Sequence, residues 1–187
     1  MSLPGIPSLD AAVMAFIQTH FHNTVTDTVF PIITSLGEAG IGWIVLSLVL
    51  LCFKKTRRTG GLVLIAMTVT LLFGELTLKN IICRLRPCNV FTDFPMLIAR
   101  PTSYSFPSGH TSSSFAAALI LTLRHKKVGW LAYIPAVLIA FSRIFLFVHY
   151  PTDVLAGILL GTLAALLTYF AAKAIQKRQA EKRTAQI

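Results

Sequence analysis

Long apolar runs separated by short basic ones set the pattern of this chain. Gly60 to Leu78 contains one charge, Glu75; Val128 to Val148 contains only Arg143; Thr152 to Ala172 contains only Asp153. Each approaches the ~20 residues a helix needs to cross the hydrocarbon core. Ala39 to Phe53 and Gly109 to Leu123 are shorter, but their flanks extend them and both end in basic residues able to snorkel to headgroups. Residues 8–36 break the pattern. They open as an amphipathic helix through Leu9, Val13, Phe16 and Ile17, turn polar from Gln18 to Asp27, and become apolar again from Val29 to Leu36 around Pro31. This segment reads as a kinked first span or as a surface helix with a half-insertion. The pattern predicts an all-α, polytopic membrane helix bundle, one domain over residues 1–187, with about six transmembrane helices, or five if residues 8–36 do not cross.

Composition supports this reading. Apolar residues make up 55% of the 187 and charged residues 13%, against roughly 25% charged in soluble domains. That excludes a disordered chain, which needs low hydrophobicity. The net charge of +10 would alone suit a nucleic-acid binder, but its placement points to a bilayer and to no nucleic acid. Lys54, Lys55, Arg57 and Arg58 form one cluster, Arg124, Lys126 and Lys127 a second, and Lys173, Lys177, Arg178, Lys182 and Arg183 a third. Those twelve of the 17 basic residues fall on one side of the expected spans, and the positive-inside rule makes that side cytoplasmic, with the basic tail 173–187 among them. The first residues lack the pattern of a cleaved signal, so insertion is expected from the spans themselves.

The other five, Lys79, Arg84, Arg86, Arg100 and Arg143, sit at the opposite helix ends or in the long loop there. Anchoring to headgroups accounts for Arg84 as well as any special role would. Lys79 and Arg86 are seven residues apart, two turns of one face if the helix persists, and Pro87 stops it. Ser108 suits a helix N-cap, Gly109 lets backbone approach a ligand, and the free N–H groups that follow make an anion site with His110 in the first turn. Arg143 lies in an apolar span, where an arginine costs ~2.5–3.5 kcal/mol at mid-bilayer and so needs a partner. Asp153, in the first turn after Pro151, can reach back to His149 and leave its other ring nitrogen basic and oriented. Each group alone also fits ordinary capping and interfacial anchoring. Together they offer fixed cations, a helix start, two histidines and a carboxylate on one side, a set suited to phosphoryl transfer. No Cys or His set has metal spacing. Cys83 and Cys88 could pair only if that side is oxidising, and free thiols are the plainer reading. Glu75, four residues before Lys79, reads as its tether.

These motifs resemble the signature of the type-2 phosphatidic-acid phosphatase family, which shares its core with vanadium haloperoxidases. The pattern is Lys79, six residues, Arg86-Pro87; then Pro107-Ser108-Gly109-His110; then Ser142-Arg143, five residues, His149, three residues, Asp153, with no departure. The motifs cover residues 79–153. The resemblance implies that His149 attacks phosphorus, Asp153 orients it, and His110 protonates the leaving oxygen and then activates water. Lys79, Arg86, Ser108, Gly109 and Arg143 would hold the phosphate, with no metal and no cofactor. Ser142 would support Arg143, and Arg100 in the 88–106 loop could help catch a headgroup, though a solvated charge suits it as well. It further implies a bacterial enzyme of the inner (plasma) membrane, with the site extracytoplasmic and the C-terminus cytoplasmic. Its partners would be the bilayer and a lipid phosphate: phosphatidic acid, phosphatidylglycerol phosphate or undecaprenyl diphosphate. Two rivals are a lipid-phosphate binding or transport protein on the same fold, and a cationic membrane anchor.

Overall fold

The computed structural model describes residues 5 and 7–184, so the tail expected over 173–187 is described only as far as Thr184. Among these residues all regular structure is helical. Helix α1 (Ser8–His20) is followed by α2 (Thr24–Leu36), whose start is closed by a capping box between Asn23 and Thr26. A 3₁₀ turn over Glu38–Gly40, with Gly40 at φ +70°, bends the path by 45° into α3 (Ile41–Cys52). Helix α4 (Arg57–Thr70) runs without a gap into a π-helical stretch, Leu71–Leu78, and then α5 (Lys79–Ile82). The short α6 (Pro87–Val90) and a long loop lead to α7 (Gly109–Arg124). A 3₁₀ turn at Gly129–Ala132 opens α8 (Tyr133–Phe145), and α9 spans Pro151–Thr184.

Small residues set the spacing of the bundle. A Cβ on Gly157 would lie 2.7 Å from the Ser108 carbonyl, and one on Gly161 would collide with the Ser112 carbonyl. Helices α7 and α9 therefore meet backbone to backbone, the small-xxx-small packing of membrane helices. Three alanines of α7, Ala116 to Ala118, are wholly buried in the same core with Val63, Ala66, Ile120 and Ala165. The outside is apolar too: Phe73, Leu76, Leu159 and Leu167 are each more than half exposed. A surface of that kind fits lipid, since soluble monomers rarely carry such patches.

The sequence led us to expect about six crossings. Among the described residues, two segments are long and apolar enough to cross a membrane, Arg57–Val90 and Pro151–Thr184, and a third if the bent pair Thr24–Leu36 and Glu38–Cys52 counts as one; Gly129–Phe145 is shorter. The count of about six is not confirmed by this measure, and α1, at 13 residues, does not meet it. Helix α1 lies against α8 and α9 at one end of the bundle, where Asp10 bonds Thr152 and Gln18 donates to the Phe145 carbonyl at 3.0 Å. Its Leu9 and Phe16 face outward while Met14 and Ile17 are buried. Residues 8–36 thus divide into α1, packed at one end of the bundle, and α2, the first member of the bent pair with α3. At the other end Thr59 bonds His125 at 3.0 Å, which brings the basic 54–58 and 124–127 segments together, and α9 carries its basic residues toward the same end.

Candidate active site

Lys79 and Arg86 reach the site by different routes. The π-helical stretch, a distortion that recurs at functional sites, holds Glu75 and leads into α5, where Lys79 Nζ donates to Glu75 Oε2 at 2.7 Å. The expectation that one helix face carries Lys79 and Arg86 fails. Helix α5 ends at Ile82, Cys83 takes φ +50°, and residues 84–86 run outside any helix. Pro87 then opens α6 as an N-terminal proline instead of closing the earlier helix. Arg86 is brought in by this turn and fixed by four bonds. Its Nε donates to the Ser103 carbonyl at 2.7 Å and its Nη2 to Ser103 Oγ at 3.0 Å. Its Nη1 donates to the Val148 carbonyl and to His149 Nε2, both at 2.9 Å.

That last bond fixes the histidine tautomer. A guanidinium can only donate, so Nε2 of His149 carries the lone pair and Nδ1 the proton. Nδ1 lies 3.5 Å from Asp153 Oδ2, while the same oxygen accepts from the Tyr150 amide at 2.9 Å and from the Ser105 hydroxyl. His149 and Asp153 are 1% and 0% exposed. Burial holds the His149 imidazole well below its ordinary value, and the nearby charges of Arg86, Arg143 and Lys79 push the same way. The ring is neutral, with its lone pair on the Arg86 guanidinium and the charges of Arg143 and Lys79 nearby.

The start of α7 has the expected cap, with Ser108 Oγ accepting from the Thr111 amide at 3.4 Å. Ser108 itself is 0% exposed and is not part of the cavity wall, so its hydroxyl serves the cap and Thr111 and not the open space. Gly109 has a more specific reason to be glycine than close approach of a ligand: a Cβ there would collide with Oε1 of Glu75. The carboxylate that tethers Lys79 is seated on the helix start. The bend between α2 and α3 presses on the same place, since a Cβ on Gly37 would lie 2.8 Å from His110 Cδ2.

Lys79, Arg86, Gly109, His110, Arg143 and His149 all border one cavity of about 870 Å³. Two of them have polar atoms without a partner: Nε2 of His110 and Nε of Arg143 are buried and unbonded. Arg143 is anchored by its Nη1 to the Thr34 hydroxyl of α2. Unbonded buried polar atoms on a cavity wall are places where a ligand could complete the bonding. Ser142 bonds back to the Ile139 carbonyl at 2.6 Å and so serves its own helix. Pro31, Ile44, Leu64, Met67 and Leu71 also line it, so charged and apolar walls meet in one space.

A model of the PAP2 superfamily matches residues 59–177, more than half of the chain. The chain belongs to the PAP2 superfamily. It is similar to an undecaprenyl-diphosphatase of Sulfolobus acidocaldarius, with 39% identity over 127 residues, 67% of this chain and 61% of that relative's length. It is also similar to the undecaprenyl-diphosphatase BcrC of Bacillus subtilis, with 31% identity over 157 residues, 79% of this chain and 76% of the relative. Among solved structures, a transmembrane PAP2-type phosphatidylglycerolphosphate phosphatase from Bacillus subtilis aligns with a TM-score of 0.73 at 29% identity, covering 92% of this chain and 89% of that one. Aquifex aeolicus LpxE aligns with a TM-score of 0.75 at 24% identity over 90% of this chain and 99% of that chain, a likeness of fold.

Several residues of this PAP2 chain that bear on the site escaped the sequence reading. Arg84 is no headgroup anchor: its Nη1 donates to Asp153 Oδ1 at 2.6 Å and its Nη2 to Asp10 Oδ2 at 2.7 Å. Asp10 carried a signal, because it shares the buried face of α1 with Met14 and Ile17. Ser103, Ser105 and Thr34 carried none, since a lone hydroxyl in a loop or helix has no distinctive spacing. Arg100 bonds the carbonyls of Cys88, Thr92 and Phe94, so it ties its own loop together while bordering the cavity. Cys83 is exposed, Cys88 is buried, and both are free thiols.

Proposed function

We propose that this protein is a metal-independent phosphatase of membrane lipid phosphates that works through a phosphohistidine. The observation that carries the reading is the neutral His149, its Nε2 lone pair facing Arg86 in a cavity shared with the unbonded nitrogens of His110 and Arg143. An arriving phosphate takes over the Arg86 donor and frees that lone pair. Nε2 then forms the P–N bond as the ester or anhydride P–O bond breaks, and His110 gives a proton to the leaving oxygen. His110 next takes a proton from water, the hydroxide attacks phosphorus, the P–N bond breaks, and inorganic phosphate leaves with His149 neutral again. Lys79, Arg86, Arg143 and the free N–H groups at Gly109 balance the charge on the transferring group. Ser108 contributes by capping α7, and Asp153 by holding the Nδ1 proton.

The substrate class is supported by a cavity that has both charged and apolar walls. It suits a phosphate or diphosphate head on a lipid tail. Relatives named undecaprenyl-diphosphatase support a polyprenyl diphosphate, with phosphatidylglycerol phosphate and phosphatidic acid as the other members of the panel. Clustering of the basic segments at the end away from the cavity supports an extracytoplasmic site in the plasma membrane and a cytoplasmic C-terminus. The test is phosphate release from purified protein in detergent. Wild type is expected to hydrolyse at least one lipid of the panel, and His149→Ala to lose that activity while still folding. Full turnover in His149→Ala would remove the phosphohistidine route, and lipid binding without turnover by wild type would favour the transport reading.

A further inference from the structure

We propose that Asp10, on the N-terminal helix α1, is a positioning residue for phosphate release, acting through Arg84 on Asp153; the inference rests on the phosphatase reading above. Asp10 is 0% exposed and is 142 positions from its main-chain partner in sequence. Three donors meet its carboxylate: Arg84 Nη2 at 2.7 Å, the Thr152 amide at 2.9 Å and the Thr152 hydroxyl at 2.7 Å. Arg84 divides its fork, giving Nη2 to Asp10 and Nη1 to Asp153 Oδ1, with its plane 3.8 Å over the Tyr150 ring.

The division matters because a guanidinium prefers to grip one carboxylate with two parallel bonds. Were Asp10 absent, Arg84 could turn both nitrogens on Asp153. That would draw the carboxylate away from His149 and compensate the charge that holds the Nδ1 proton. Asp10 keeps one arm of Arg84 occupied, so Asp153 leaves Oδ2 for the Tyr150 amide, Ser105 and the histidine side. Asp10 also fixes the backbone of the first turn of α9 at Thr152, the residue beside Asp153. Neither Asp10 nor Arg84 borders the cavity. Their effect must therefore reach the reaction through Asp153 and His149, and not through substrate binding.

The experiment compares wild type, Asp10→Asn, Arg84→Lys, the double variant and His149→Ala, purified in detergent, releasing phosphate from a polyprenyl diphosphate and from phosphatidic acid in mixed micelles. Asp10→Asn keeps the size of the side chain and removes its charge. By analogy with lost outer-shell partners, which cost 10–100-fold, it is expected to lower kcat by roughly tenfold and to leave KM within about twofold. The double variant should be no worse than Arg84→Lys alone, the non-additivity of residues acting in one chain. Wild-type kcat in Asp10→Asn, a loss carried by KM, or losses that multiply in the double variant would each overturn the proposal. If Asp10→Asn does not fold, Thr152→Val, which deletes a hydroxyl shared by Asp10 and Arg84 but no charge, must show the same kcat-only loss in smaller measure, and an unchanged kcat there overturns it. No phosphate release by wild type from either lipid would instead overturn the phosphatase reading itself, and full turnover in His149→Ala the phosphohistidine route.

Discussion

At the scale of residues, the site depends on which atoms lack partners. Arg143 is held by one nitrogen to Thr34 while its Nε stays unbonded, so its guanidinium is placed before substrate arrives. Such preorganised donors act on the charge that develops in the transition state. Arg143→Ala should lower kcat/KM by an amount on the order of 3 kcal/mol, the loss typical of one oxyanion donor; steady-state phosphate release measures it, and a change under about threefold would place the cradle elsewhere. A second expectation concerns pH. The buried His149 stays deprotonated below the ordinary histidine value of 6.5. As the proposed nucleophile it would be lost to protonation only further into acid, so the acid limb of kcat/KM from this group should fall below that pH. A profile dropping with a midpoint at or above 6.5 would show that His149 is solvated and ordinary. The motif residues were legible in the sequence because their spacing is strict. Asp10 and Arg84 were not, because a charge pair joining residues 74 apart leaves no periodic trace.

At the scale of elements, two close contacts do most of the positioning. Helix α7 carries His110 and α9 carries Asp153, and Gly157 and Gly161 let the two approach at backbone distance. Gly161→Ala should push them apart and cost about 1–3 kcal/mol of stability, as overpacking generally does. Thermal unfolding in detergent reads that loss, and activity should fall with it because both helices carry site residues. The apolar runs were legible as helices, and the N-cap at Ser108 was too. Helix geometry was legible only in part. The sequence pattern cannot show that the span from Arg57 winds into a π-helix at Leu71, or that Cys83 turns left-handed and ends α5. Both depend on tertiary contacts that override local preference. The bend at Gly37 to Gly40 was hidden for the same reason, since nothing in the order Leu-Gly-Glu-Ala-Gly says that an imidazole will rest against it.

At the scale of the whole molecule, charge is sorted by end: basic segments meet at one pole and the cavity lies toward the other. If the cations of the site replace a metal, phosphate release should be unchanged by EDTA, and a strict need for added Mg²⁺ would refute the cation-only scheme. The number of crossings was the least legible feature. An apolar run of sufficient length does not reveal whether it packs at one end of the bundle, as α1 does, or bends into two halves, as α2 and α3 do. The cavity those halves help to wall has one further consequence. Charged and apolar walls meet in it, so under the proposed reaction the halves of a cleaved molecule would part company by phase: the small anion would drain into water, and the greasy alcohol or diglyceride would slide back among its neighbours. Turnover would then be limited by two separate exits, and crowding either reservoir should slow the enzyme in its own way.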